Sequence, residues 1–204
     1  DLSALAYNLG KVRLLCPNSK VMAVVKANAY GHGLVQTAKA LVSADGLAVA
    51  RIQEASQLRQ AGINQRLLLL GTLLGKDEIK FCADHSIDIV VHNRESLNLV
   101  CAHKGKKLNV WAKLDTGMHR LGMSSNEYAM AISRLENCVN VDEIVQMSHF
   151  SSSEELELPD TTLSQIKIFE QHTRRHSHST SLANSGAIIN WPQCHQNWVR
   201  AGIM

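Results

Sequence analysis

The chain has 204 residues, 45% of them hydrophobic and 19% charged, with a formal net charge of +3; this suits one globular domain with enough apolar material for a large core. No basic run exceeds the patch at 104–107, which argues against a nucleic-acid or membrane surface, and no apolar stretch approaches the roughly 20 residues of a membrane span or forms a leader behind a basic start. The five cysteines, at 16, 82, 101, 138 and 194, are scattered, odd in number and without close pairs, so neither a disulfide framework nor a structural zinc site is expected, and a reducing cytoplasm is the simpler setting.

In chain order, the opening segment 1–16 places Leu2, Leu5, Leu9 and Val12 on one face at helical spacing, and Pro17 ends it. Strands are then predicted over 21–26, 46–50, 67–70, 87–91, 108–114, 143–147, 181–184 and 198–203. Amphipathic helices are predicted between most of them, over 34–44, 53–61, 76–85, 93–104, 126–136 and 161–176. The runs VMAVV, LLLL and IDIVV lack polar alternation, as strands do when both faces of a parallel sheet are covered. Eight such units point to an α/β (β/α)8 TIM-like barrel occupying 1–204, with an open doubly wound sheet as the competing arrangement. The polar, acidic stretch SSSEELELPDTT at 151–162 reads as a long surface loop. The chain stops directly after the eighth strand, and the expectation is that the last helix is missing.

In such barrels the reactive groups sit where strands end, on the carboxyl-terminal rim. Those ends carry Lys26, Lys113 with Arg120 beyond it, His149, Asn184 with Ser185, and Arg200 to Ile203. Lys26 is either a lysine reaching out to solvent or a desolvated amine, which loses its proton more easily and attacks carbonyl carbons. Tyr30 can bond an anionic oxygen, and Gly31 and Gly33 let backbone approach closely. The planar fork of Arg120 suits a carboxylate or phenolate oxygen. His149 could stack on an aromatic ring or be a satisfied core group. His172, His176 and His178 include an i, i+4 pair but no third ligand in view, so surface histidines, and no metal site, are expected.

Together and in order, the motifs KANAYGHG, KLDTGMHRLG, SHF, LANSG and VRAGIM, spanning Lys26 to Met204, resemble those of alanine racemase, a pyridoxal-phosphate enzyme built on a barrel followed by a β domain. The resemblance implies racemisation of L- and D-alanine in the cytoplasm, supplying D-alanine for peptidoglycan or degrading it, by a homodimer. Lys26 would hold pyridoxal 5'-phosphate covalently and then act as one base. Tyr30, Ser185, Gly202 and Ile203, with Asn184 beside them, would hold the phosphate. His149 would stack on the ring and Arg200 would face its nitrogen. Arg120 would bond the phenolic oxygen and place the substrate carboxylate. Lys113 is a position for carbamylation, with a Lys113–Asp115 ion pair as the alternative. Ala201 stands where the family usually has proline. A short amino-terminal strand and the carboxyl-terminal β domain are expected to be missing; that domain carries the second base, a tyrosine acting on the partner subunit's site, so the 204 residues alone are expected to racemise poorly. Related barrel decarboxylases or aldolases, and a non-catalytic pyridoxal-phosphate-binding barrel, are the competing families.

Overall fold

Apolar runs without polar alternation need cover on both faces, and the chain supplies it by following such runs with amphipathic helices. In the computed structural model, which describes residues 1–157 and 159–202, eight parallel strands close into a barrel in chain order. They are β1 (Lys20–Val24), β2 (Gly46–Val49), β3 (Arg66–Leu69), β4 (Ile87–Val91), β5 (Leu108–Lys113), β6 (Val141–Met147), β7 (Ser179–Ser181) and β8 (Trp198–Ala201). Pairing of β1 with β8, from Lys20 opposite Trp198 to Ala23 opposite Ala201, removes any free edge. The open doubly wound alternative is thereby excluded.

The helices are α1 (Leu2–Leu15), α2 (Lys26–Tyr30), α3 (Leu34–Ala40), α4 (Ile52–Gln60), α5 (Lys76–Asp84), α6 (Arg94–Ala102), α7 (Ser125–Glu136), α8 (Pro159–Thr173) and α9 (Ser185–Asn190). Their starts follow from local chemistry. Asp1 accepts the Ser3 N–H at α1, and reciprocal capping boxes open α6 at Asn93 and α7 at Ser124. Among the described residues no helix follows β8; α1 packs beside α3 and α9 and fills that place in the outer ring from the amino-terminal side. No helix among the described residues is long and apolar enough to cross a membrane.

Period-2 alternation divides each strand between two layers. Leu67 and Leu69 pack outward under the helices, whereas Leu68 joins Met22, Ala48, Val90, Trp111, Val145, Met147 and Trp198 in the lumen. At the amino-terminal end of the lumen, Arg66 lies between the rings of Trp111 and Trp198. Its Nε donates to Asp88 at 2.6 Å. Its Nη2 lies 2.9 Å from Glu143 at an angle too poor for a hydrogen bond. Trp111 Nε1 and Asn109 Nδ2 also donate to Asp88, so the floor of the barrel is a polar network centred on Asp88.

Four local expectations change. The first strand ends at Val24, and Lys26 begins α2 rather than finishing the strand. The seventh strand is confined to Ser179–Ser181, because Asn184 is taken as the cap of a short helix, α9. The acidic stretch is not all loop, since Pro159, well suited to a first helical turn, already lies in α8. That helix stops at Thr173, so His172 and His176 do not share a helical face.

Candidate functional site

The carboxyl-terminal ends of the strands surround a cavity of about 720 Å³, within the usual size of small-molecule sites. Lys26, Tyr30, Lys113, Arg120, His149, Asn184, Ser185, Arg200 and Gly202 all line it; Ile203 lies outside the described residues. A smaller cavity of about 150 Å³ beneath α1 shares Val24, Tyr30 and Gly202 with it and carries no lysine or arginine.

Lys26 is presented by an unusual backbone. Ala27, Asn28, Ala29 and Tyr30 all have φ of 53–54°, so α2 is a left-handed turn, costly for residues with a Cβ. Its neighbours hold it there. Ala29 N–H donates to Val25 O, and the Gly31 and Gly33 N–H groups donate to Asn28 O. Asn28 Oδ1 accepts from Leu34 N–H at 2.8 Å, capping α3, and Asn28 N–H donates to Glu54. The Glu54 carboxylate also accepts from the Ala50 and Arg51 N–H groups, linking the turn to the end of β2. Lys26 itself is half-buried, and no hydrogen bond or ion pair of its amine occurs among the described residues. The same turn brings the Tyr30 hydroxyl to Gly202, where a Cβ would lie only 2.9 Å from it. Gly202 N–H donates to Ser185 Oγ at 2.9 Å, which leaves the serine's own hydroxyl hydrogen for the cavity. Tyr30, Ser185 and Gly202 thus form one cradle. Asn184 lines the cavity, but its Oδ1 accepts from Ala187 N–H and Ser153 Oγ, so its carbonyl orients α9 and Ser185.

Across the mouth, Lys113 ends β5 with only 8% exposure. Burial and the charges of Arg200, Arg120 and Lys26 lower its pKa to about 8, with Asp115 opposing the shift. The Lys113–Asp115 ion pair does not form. Asp115 accepts instead from the Gly117 and His119 N–H groups and from His119 Nδ1, because the loop folds back over its carboxylate. That loop is closed at its base by Asp115 N–H to Met123 O and Met123 N–H to Lys113 O. Gly122 permits the closure: its φ is +142°, and a Cβ there would meet Asp115 N at 2.7 Å. Arg120 is left exposed at the rim.

The third wall is built around Arg200, 4% exposed. One guanidinium nitrogen donates to Ser181 O and Oγ, and the other donates to Ser148 O and meets His149 Nδ1 at 3.3 Å. Its Nε–H has no partner among the described residues. Burial lowers its pKa to about 10, so it remains cationic at neutral pH. Burial and the nearby charges of Arg200, Lys113, Arg120 and Lys26 push His149 down to about 2; its ring is neutral, and Nδ1 facing a donor places the proton on Nε2. Gln165 donates to the His149 carbonyl and to Thr116, and Ser151 donates to Gln165.

The structure therefore brings together the described residues that the strand ends nominated, apart from Ala201, which lines the smaller cavity. Sequence reasoning missed Glu54, Ser153 and Gln165. Only Gln165 left a signal, as a polar residue in the apolar stripe of α8 beside Ile166 and Phe169. Four cations converge on the cavity against one lining carboxylate, Glu154. Such an excess favours a ligand with more than one anionic group, and an unpaired amine beside it is placed to meet a carbonyl carbon.

The comparisons agree with this geometry. A family model described as the alanine racemase N-terminal domain matches residues 1–204. The alanine racemase of Shewanella woodyi is 41% identical over 202 residues, covering 98% of this chain and 56% of that protein. That of Nitrosococcus oceani is 44% identical over 206 residues, covering 100% and 57%. The crystal structure of the biosynthetic alanine racemase from Pseudomonas aeruginosa has a TM-score of 0.94 at 36% identity, covering 100% of this chain and 57% of that one. The chain spans little more than half the length of these relatives. On the whole-length family match, with a closed barrel to carry it, the chain belongs to the alanine racemase family.

Proposed function

We propose that this chain is the cofactor-binding barrel of an enzyme that interconverts L- and D-alanine with pyridoxal 5'-phosphate. The observation that carries the reading is the unpaired Lys26 amine at a cavity with four cations and a Tyr30–Ser185–Gly202 cradle. The donor set fits the cofactor's functional groups. The cradle takes the phosphate: burial raises the Tyr30 pKa, so its hydroxyl stays protonated and donates, and the Ser185 hydroxyl hydrogen is free. Ile203 extends the cradle in this reading on the family resemblance alone. The unmatched Nε–H of Arg200 is the donor left for a ring nitrogen, and the uncharged His149 ring is suited to stacking.

When bound, the cofactor supplies an electron sink that acidifies the α-carbon proton of the amino acid. Arg200 would face the ring nitrogen as a permanent cation that hydrogen-bonds without surrendering a proton, which would keep that sink weak and limit side reactions. Arg120 offers its fork to the substrate carboxylate and the phenolic oxygen. Lys26 would hold the aldehyde carbon of the cofactor and would carry a proton to or from the alanine α-carbon. Inversion needs a second proton carrier on the opposite face. We assign that role to a tyrosine of the partner subunit in a homodimer, outside these 204 residues, and the use of the product to peptidoglycan supply.

The test is covalent mapping. The chain is mixed with pyridoxal 5'-phosphate, reduced with borohydride and digested, and the modified peptide is located by mass spectrometry. We expect the label on Lys26 and none in Lys26→Ala. Label on another lysine, or equal labelling of Lys26→Ala, would overturn the assignment.

A further inference from the structure

The connection 174–178 between α8 and β7 lies at the amino-terminal end of the barrel, opposite Lys26. There, two histidines aim different ring atoms at one carboxylate oxygen. His176 Nδ1 is 3.1 Å and His178 Nε2 is 2.9 Å from Glu136 Oε1. Glu136 is the last residue of α7, forty positions before His176. The imidazole planes are 8° apart, and the three donor atoms lie within 4.8 Å of one another. Glu136 and His178 border a recess of about 360 Å³ that also carries Asp142 and Glu143.

We propose that Glu136, His176 and His178 form a binding site for a divalent transition-metal ion of the zinc, nickel or copper class. Two imidazoles and one carboxylate are the donors such ions select, whereas magnesium and calcium prefer all-oxygen shells. The two histidine–glutamate separations, 3.1 and 2.9 Å, are close to the roughly 3–3.5 Å between donors that share an ion at bonds of about 2.0–2.2 Å, and the two ring nitrogens, within 4.8 Å of each other, would close toward the ion on binding. Each imidazole now directs an N–H at Glu136. In a neutral ring that proton can move to the other nitrogen, leaving a lone pair toward the ion and the carboxylate as counter-charge. The recess leaves room for water at the remaining coordination positions. The sequence shows the histidines but hides the carboxylate, since only the packing of α7 beside the connection supplies the third ligand. A bound ion would fasten the end of α7 to the start of β7.

The test titrates the untagged, chelator-stripped chain with zinc chloride by calorimetry at neutral pH, with magnesium and calcium chloride in parallel. One saturable zinc equivalent is expected, with no heat from the other two at the same concentrations. Glu136→Gln and His178→Ala should each weaken zinc binding by about ten-fold or more. At free zinc about a hundredfold above Kd, Tm should rise by roughly 5–10 °C in the wild type and not in His176→Ala/His178→Ala. All three side chains are exposed or half-buried, so the variants should fold, and far-UV circular dichroism checks this. Absence of saturable zinc uptake, or uptake that persists unchanged in the double variant, would overturn the proposal and leave the cluster as a hydrogen-bonded clasp.

Discussion

Lys113 is a buried amine whose neighbours are mostly cations, and its proton is correspondingly easy to lose. With the pKa lowered to about 8, a sizeable fraction is uncharged at mildly alkaline pH, against very little for an ordinary lysine. An uncharged amine can add carbon dioxide: a nitrogen–carbon bond forms, the displaced proton leaves to solvent, and a carbamate anion results. Such an anion would sit among Arg120, Arg200 and Lys26, exchanging repulsion for attraction and giving Arg120 a partner to orient it. In 13C-bicarbonate, the wild type should therefore show a carbamate carbonyl resonance that grows as pH rises from roughly 7 to 9 and is missing in Lys113→Met. A wild-type spectrum without the resonance would remove the carbamate from the site. The charged residues that line the cavity were legible in sequence because charged groups at the ends of apolar runs are conspicuous. Glu54 and Ser153 were not, because each acts on a group from another element and nothing local distinguishes them from surface polar residues; Gln165 left only its polarity within the apolar stripe of α8.

At the scale of elements, the left-handed turn of α2 has the largest consequence for the site. Four successive residues with a Cβ in that conformation cost about 1 kcal/mol or more each relative to ordinary backbone, and Asn28 is the residue type that tolerates it best. Replacing Ala27 by glycine removes the steric cost, so Ala27→Gly should raise stability by up to about 1 kcal/mol. The same change loosens the segment that aims Lys26, so borohydride labelling of that lysine should slow. Asn28→Ala should do the opposite to stability and lose about 1–2 kcal/mol, because Leu34 N–H loses its acceptor. Urea denaturation reads both signs, and an Asn28→Ala chain as stable as the wild type would mean the turn is held by other contacts. The turn could not be read from sequence, since Lys26 directly continues the apolar run of β1 and no glycine precedes Gly31 to announce a positive φ. Long periodic helices such as α7 were legible to within a residue or two, because their apolar stripes and caps agree. The short α9 was hidden in six residues too few to show a period.

For the whole molecule, eight alternations of apolar run and amphipathic segment sufficed to indicate closure, because parallel strands buried on both faces have few other arrangements. What the pattern could not show is how differently the two ends of the lumen are finished. The mouth gathers its cations around a cavity with no ion pair to them among the described residues, whereas the floor pairs Arg66 with Asp88 and Glu143 under two tryptophans. Arg66 and Asp88 sit at strand starts, where charge ordinarily means solvent, and only closure of the barrel turns them inward. Asp88 is 2% exposed and accepts from Arg66, Trp111 and Asn109. Removing it strands a partly buried guanidinium and two neutral donors, a change that typically costs about 3–5 kcal/mol. Asp88→Ala should therefore lower the urea midpoint sharply, while Arg66→Met/Asp88→Leu, which removes the stranded charge and keeps the volume but still leaves Trp111 Nε1 and Asn109 Nδ2 without their acceptor, should recover the part of the loss due to the guanidinium. The floor lies about one strand length, roughly 13–17 Å for four or five residues, from Lys26, so labelling of that lysine under native conditions should not change in the double variant. Equal destabilisation of the single and double variants would show that packing around the tryptophans, and not the ion pair, holds the floor closed.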